Sequence, residues 1–391
     1  MTLRQVIHAG LYYERGSAKA RLCVPGRDAL YAYCAERGVT ARRVGKLVVA
    51  TQTSQLPKLE ALAKRASANG VQDLVWLSGA SDVAAVEPQV RGVAGLWSPS
   101  TGVVDSHGFM VALQADAEAH GAIVALNTKL LSGRREGDSW ILDTATTTGK
   151  SSSNSSRSSF HGDDDASQTS NAEPSFSLQC HTVVNCAGLA ASQVALALGC
   201  PPHTIPRTYF AKGNYFALQG VPPPFTKLVY PLPEAAGLGV HATVDLGGRV
   251  RFGPDVEWLP NQHDSPFSTL SDLYSVDPSR AAVFYGEVRK YWPELPDNAL
   301  VPDYAGLRPK LHGPPASQGG PQVATDFFFQ GPKLRNSYYV ATNRNGVEVS
   351  PGAFQGHGLP GLVNLLGFES PGLTASLAIA DEIALELKEV K

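Results

Sequence analysis

One stretch constrains this chain more than any bulk property does. Residues 181–199 read HTVVNCAGLAASQVALALG. Thr182 to Asn185 have the pattern of a buried strand, Gly188 supplies a turn, and an apolar-periodic helix follows at once. A strand, a glycine and a helix in direct succession form the crossover unit of a nucleotide-binding sheet. Residues 361–390 show the same order, with a strand, a glycine loop and a helix. There Ser370 is placed to cap the helix and Pro371 suits its first position. Leu373, Leu377, Ala380, Ala384 and Leu387 are expected to share its buried face.

The rest of the chain divides into two textures. Residues 16–38 predict a helix with Leu22, Leu30, Tyr33 and Cys34 on its apolar stripe and Gly38 as its stop. A strand is expected at 46–51, an amphipathic helix at 55–70 and a short helix at 78–88. Within 101–121 a turn leads into a helix capped by Asp105 or Ser106, and 122–133 reads as strands. Residues 206–258 change to short alternating strands, an antiparallel meander. A helix pair at 278–291 and a strand at 303–311 follow. The expected fold is α/β (α+β), with two interleaved domains. Segments 1–45, 96–200 and 355–391 form the α/β domain, and 46–95 with 201–354 form a β-rich domain. Residues 144–177, rich in Ser, Thr, Asn and Asp, are too polar to offset chain entropy and are expected to be a disordered insertion.

Composition narrows the function. The chain has 391 residues, 43% of them hydrophobic, enough for a large core. A formal charge of −2 gives no basic surface for nucleic acid. No apolar run approaches the ~20 residues that cross a bilayer, and the opening residues lack the pattern of a secretory signal. Five cysteines without paired spacing argue against a disulfide framework and against zinc. Cys23 and Cys34 read as buried helix packing. The HGDDD at 161–165 reads as a solvated acidic loop, so no metal is expected.

Several stretches carry chemistry. GLGVHA at 237–242 mimics a dinucleotide loop, but strand residues follow it where a helix N-terminus is needed, so it reads as strand. In GFESPGLTAS, 367–376, glycines flank a helix start whose free N–H groups favour an anion or an electron-rich ring edge. AGLRPK, 305–310, puts Arg308 and Lys310 on one face of a strand, with Pro309 marking a sheet edge. A guanidinium there suits a carboxylate. Lys212 lies on another strand of the same β-rich body, so several cations would suit a dianion. His107, His120 and His181 read as cap or surface residues, and His241 as a core histidine in mid-strand. His8, beside Ala9-Gly10 in VIHAGLYY, sits where backbone approaches a ligand closely, and an imidazole is the base that hydroxyl oxidation needs.

These motifs, in order, resemble the L-2-hydroxyglutarate dehydrogenases of the FAD-dependent D-amino-acid-oxidase-like superfamily. The series is VIHAGLYY, GSAKARLCVPGRDALYAYC, GKLVVAT, TGVVD, VVNCAGL, AKGNYF, YPLPEAAGLGVHATVDLGG, RFGPDVEW, DYAGLRPKL and GFESPGLTASLAIADEIA. It spans most of the chain apart from 144–177 and a stretch near 313–358. The resemblance implies a Rossmann-like FAD-binding domain interleaved with an antiparallel-sheet substrate domain. It implies oxidation of L-2-hydroxyglutarate to 2-oxoglutarate by hydride transfer to flavin. His8 would be the base or its orienter. Arg308 would hold the substrate carboxylate, with Lys310, Lys212 and His241 around it. Gly10, Ala187, Gly188, Gly367, Ser370, Gly372, Leu373 and Thr374 would contact FAD. The implied partners are a small-molecule dicarboxylate and an electron acceptor such as a quinone; peripheral membrane contact is compatible with that, and eukaryotic members are mitochondrial. In the family a strand, GxGxxG and helix come first, a unit of about 30 residues. Five residues precede Val6 here, so the chain is expected to be an N-terminally shortened member. Two alternatives stay open at this point: a related flavin oxidase acting on another amino or hydroxy acid, and an inactive truncated member.

Overall fold

The computed structural model of the chain describes residues 5–146, 176–232, 239–259, 273–311, 314, 326–332, 341–342, 348–349 and 356–388. Nine of the described strands form one large sheet. Its order runs Glu257–Trp258, Tyr209–Leu218, Val250–Phe252, Ala242–Val244, Leu228–Pro231, Lys46–Ala50, Ala94–Ser98 and Val75–Leu77, and Leu300–Lys310 also pairs with Tyr209–Leu218. The pairings are antiparallel except between Leu228–Pro231 and Lys46–Ala50.

Successive side chains along a strand point to opposite faces, and this sheet is covered differently on each. Leu47, Val49, Val229, Ala242, Phe216 and Phe252 face one way, under Phe284 and Val288 of the helix Ala281–Arg289 and under Tyr291 and Trp292. Lys46, Val48, Ala50, Leu228 and Tyr230 face the other way. There Val6, Ala9 and Leu11 of the opening segment pack on the sheet, beside Leu59, Leu62 and Ala66 of the helix Leu56–Ala68.

A second sheet joins Val183–Asn185, Leu362–Leu366 and Phe328–Gln330, the first two parallel and the last antiparallel. Phe328–Gln330 therefore pairs outside the large sheet, although sequence groups it with the β-rich domain. A row of buried amides fixes the register. Asn185 donates to Asn364 at 2.8 Å, and Asn364 donates to Gln330 at 3.1 Å. A one-residue slip would leave these groups unpaired inside the protein, which costs far more than a weakened surface pair. The first helix, Ala18–Arg37, and the last, Gly372–Lys388, cover this sheet together. Ser17 caps the first helix and Gly38, at φ 67°, ends it. Three smaller groupings complete the described fold. Val6–Ile7 and Ala41–Arg42 flank Gly102–Val104, Thr128–Glu136, Ser139–Thr146 and Phe176–Cys180 form a meander, and Ala341–Thr342 pairs with Glu348–Val349.

The architecture is the mixed helix and sheet class expected, with four local differences. Residues 122–127 are not strand; the strand begins at Thr128, and Ile123 is 92% exposed. Their apolar pattern suits a strand, but among the described residues no neighbour supplies a hydrogen-bond ladder. The polar insertion is shorter than 144–177 at both ends, because Thr144 pairs with Phe176 and Asp143 with Ser177; its central residues, 147–175, lie outside the described set. A 3-10 turn, Gly188–Ala190, precedes the helix Ala191–Ala197. The last helix buries Ala375, Ile379 and Ile383, while Ala380 and Ala384 are exposed. Leu373 and Leu377 pack sideways against Ile7, Leu30 and Phe109, so two partners at an angle share this helix.

Candidate active site

His8 stands in a seam between the opening segment and the last helix. Its backbone N–H donates to Thr374 Oγ1 at 3.0 Å, and the Thr374 hydroxyl donates to the Val6 carbonyl at 3.4 Å. Its Nε2 lies 3.0 Å from Ser370 Oγ. Ser370 thus turns its hydroxyl to the imidazole, although its position in the sequence suits a helix cap. The seam closes because Gly26 lacks a side chain: a Cβ there would lie 2.6 Å from the Thr374 carbonyl oxygen and 2.7 Å from Ala375 Cα. The two helix backbones meet at that point, which explains a glycine after Pro25 inside a helix that both residues disfavour. Cys23 donates its thiol to the His8 carbonyl at 3.5 Å. Burial pushes that thiol up to about 12, against the lowering influence of Lys46 and Arg27, so it remains a donor and not a nucleophile at neutral pH. Gly10 holds φ at 100°, a left-handed conformation that lets Leu11 turn back onto the sheet.

The two glycine loops leave neighbouring strand ends. Cys186 to Gly188 follow the carboxyl end of Val183–Asn185, and Gly367 to Thr374 follow that of Leu362–Leu366, the parallel neighbour. In open α/β sheets ligands bind outside those carboxyl ends. Cys186, Ala187 and Gly188 are exposed, and a Cβ at Gly188 or at Gly372 would meet nothing within 4 Å. The resulting lip, with a helix N-terminus on one side, fits an extended anionic cofactor chain. Gly367 has a different reason to be glycine: at φ 68° its Cβ would strike Leu311 Cγ at 2.6 Å. Leu373 is engaged in the apolar cluster around Ile7, and Thr374 in the seam.

The cations separate. Arg308, Gly306 and Tyr304 share a face with Ala211, Gly213 and Tyr215, their neighbours across the antiparallel pair. Tyr215 and Tyr304 stack at 4.5 Å there. Gly213 is glycine because Pro254 lies against it: a Cβ there would sit 2.8 Å from Pro254 Cβ, and the Arg308 guanidinium lies just beyond, at 3.4 Å from Nη2. Among the described residues no hydrogen bond or ion pair engages the half-buried Arg308 side chain. Lys310, on the same face, is tied at 2.7 Å to Glu369 Oε1. Lys212 alternates to the opposite face with Asn214 and Phe216, so the structure does not bring it together with Arg308. His241 is buried and stacks on Tyr230, ring centroids 3.7 Å apart. His120 Nδ1 lies 2.7 Å from the Asp116 carbonyl, a cap as expected.

Sequence reading missed Lys46. It is fully buried, with its ammonium 4.3 Å from the centre of the Tyr230 ring and 5.4 Å from that of Tyr12. A lysine opening the strand KLVVA looks like a solvated end. The available signal was alternation: Lys46 shares its face with Val48 and Ala50. Burial, with Tyr230 alongside, raises Tyr12 far above an ordinary phenol, so its hydroxyl stays protonated. All five cysteines are free. Among the described residues no cluster could hold a metal, and no helix is long and apolar enough to cross a membrane.

Residues 5–385 match the family described as FAD dependent oxidoreductase. The chain is 41% identical to an L-2-hydroxyglutarate dehydrogenase, mitochondrial, from Arabidopsis thaliana, over 97% of this chain and 74% of that one. It is 31% identical to the Homo sapiens protein of the same name, over 64% of this chain and 50% of that one; it thus spans about half of that relative's length. The FAD-bound, dithionite-reduced L-alpha-glycerophosphate oxidase of Mycoplasma pneumoniae shares the fold, with a TM-score of 0.70 at 19% identity over 97% of this chain and 82% of that one. The strand ends, the His8 seam and these likenesses lead to one conclusion: the chain belongs to the FAD dependent oxidoreductase family and groups there with the L-2-hydroxyglutarate dehydrogenases.

Proposed function

We propose that this chain, with FAD bound, oxidises L-2-hydroxyglutarate to 2-oxoglutarate. The observation that carries the reading is the 41% identity with the Arabidopsis thaliana dehydrogenase over 97% of this chain. The geometry supports it through Arg308, a cation on the sheet face that carries Tyr304 and Tyr215 and lies on the His241 side. Gly10, Ala187, Gly188, Gly367, Ser370, Gly372, Leu373 and Thr374 would hold the cofactor, mostly through backbone at the two strand ends. When bound, FAD supplies a two-electron acceptor. The protein's own groups do the rest. Arg308 grips a substrate carboxylate with its planar fork. His8 takes the hydroxyl proton, its ring held by Ser370 at 3.0 Å. His241 and the Tyr230 ring wall the site from the sheet side, with the Lys46 charge behind them.

A small-molecule substrate and a separate electron acceptor go with a dehydrogenase of this family. We assign the acceptor to the quinone class, reached by peripheral contact with a membrane, and the setting to the mitochondrion that the relatives' names carry. The test uses the FAD-loaded chain without oxygen. L-2-Hydroxyglutarate should bleach the flavin absorbance, and glycine and D-lactate should not. Bleaching by glycine alone, or no flavin bands after FAD addition, would overturn the reading.

A further inference from the structure

On the reading that His8 is the base, we propose that Glu369 is a positioning residue that acts on it through Ser370. Glu369 precedes Ser370 directly, and its side chain is 8% exposed. Its Oε1 meets Lys310 Nζ at 2.7 Å and Lys19 Nζ at 3.4 Å. Each lysine comes from a different part of the fold. Lys310 ends the strand that carries Arg308, and Lys19 lies in the first turn of the helix Ala18–Arg37. Lys19 is itself fixed. Its backbone N–H donates to Asp326 Oδ1 at 2.9 Å, and its ammonium lies 5.5 Å from the centre of the Phe327 ring. One carboxylate therefore joins the substrate-side sheet, the first helix and the turn in front of the last helix.

The other side of that turn is held by packing. Phe368 stacks on Phe327 at 4.5 Å and meets the Phe329 ring edge-on at 5.1 Å. With Phe368 anchored among aromatic rings and Glu369 between two ammonium groups, Ser370 has little freedom, and its Oγ meets His8 Nε2 at 3.0 Å. A buried carboxylate paired with cations is tolerable; removing its charge leaves Lys19 and Lys310 to repel each other in a poorly screened place. The turn would then shift and carry Ser370 away from the imidazole. In this arrangement Lys310 acts through Glu369 and not as a ligand of the substrate.

The experiment compares the FAD-loaded full chain with its Glu369→Gln, Glu369→Asp, Ser370→Ala and His8→Gln variants. In protein labelled with ¹⁵N-histidine, the ring resonances of His8, assigned by their loss in His8→Gln, report the tautomer and hydrogen bonding of the imidazole without any turnover. Glu369→Gln and Ser370→Ala should both move them. Glu369→Gln should also lower kcat by about 10- to 100-fold, the scale of a misplaced catalytic group, with KM little changed, and Glu369→Asp should restore part of it. Unmoved His8 resonances in folded Glu369→Gln would overturn the proposal, as would an unchanged kcat there when His8→Gln abolishes turnover. If Glu369→Gln does not fold, Lys310→Met is measured in the same way: a smaller shift of the same resonances is expected, and none would overturn the proposal. An unchanged kcat in His8→Gln would remove the base assignment alone, because the resonances still decide whether Glu369 holds His8.

Discussion

The two faces of the large sheet come from the same strands and could hardly be more different. One face is closed. Phe216, Phe252, Val229 and Phe284 are entirely buried there, and Trp292 lies parallel to Phe252 at 6.1 Å between centroids. The other face carries Lys46, His241, Arg308 and Lys310 among Tyr230, Tyr215 and Tyr304. Strand alternation makes this division possible, because each residue can serve one face without disturbing the next. The first face is anchored by aromatic packing, whereas the second combines an apolar patch, Val48, Ala50 and Leu228 under Val6, Ala9 and Leu11, with the charged groups beside it. Adjacent residues show the contrast at its sharpest: Leu47 is core, and Lys46 is a buried cation.

Three substitutions test that contrast. Phe252→Ala should have the largest effect, a loss of about 3–5 kcal/mol typical of emptying a buried aromatic site, read by urea unfolding, with KM unchanged in the folded protein. A raised KM with little loss of stability would break the division of labour. Arg308→Ala should leave stability nearly intact and raise KM for L-2-hydroxyglutarate by about 10- to 100-fold, since one or two hydrogen bonds between charged groups are worth about 1.5–3 kcal/mol. Steady-state kinetics checks this, and an unaltered KM would take Arg308 out of the carboxylate role. Lys212→Met should have the smallest effect on the reaction, with KM unmoved, because Lys212 points into the other face. A KM that rose as far as in Arg308→Ala would show that the substrate reaches both sides of the strand.

Most of the local structure was legible in the sequence. The first helix has its Ser17 cap and its Gly38 stop, and the strand Lys46–Ala50 and the helix Leu56–Ala68 occupy the positions that their periodicity implies. The failures share a cause. Residues 122–127 have strand composition, but a strand exists only where a neighbour completes its ladder. Ala380 and Ala384 share a helical stripe with Leu373, but which stripe is buried depends on where Phe327, Phe329 and Val363 lie. The ion pair of Lys310 with Glu369 at 2.7 Å was not visible in the sequence because the two lie 59 residues apart.

The sequence by itself determined most element types, the strand–glycine–helix units and the candidate residues for proton and carboxylate chemistry, because these depend on propensity, periodicity and side-chain type within a few residues. Tertiary structure alone decided how those residues meet. It put His8 against Ser370 across 362 positions, bound Lys310 to Glu369, turned Lys212 away from Arg308, and buried Lys46 between Tyr12 and Tyr230. Such pairings are set by which backbones can approach, as Gly26 and Gly213 show, and close approach belongs to two distant segments at once.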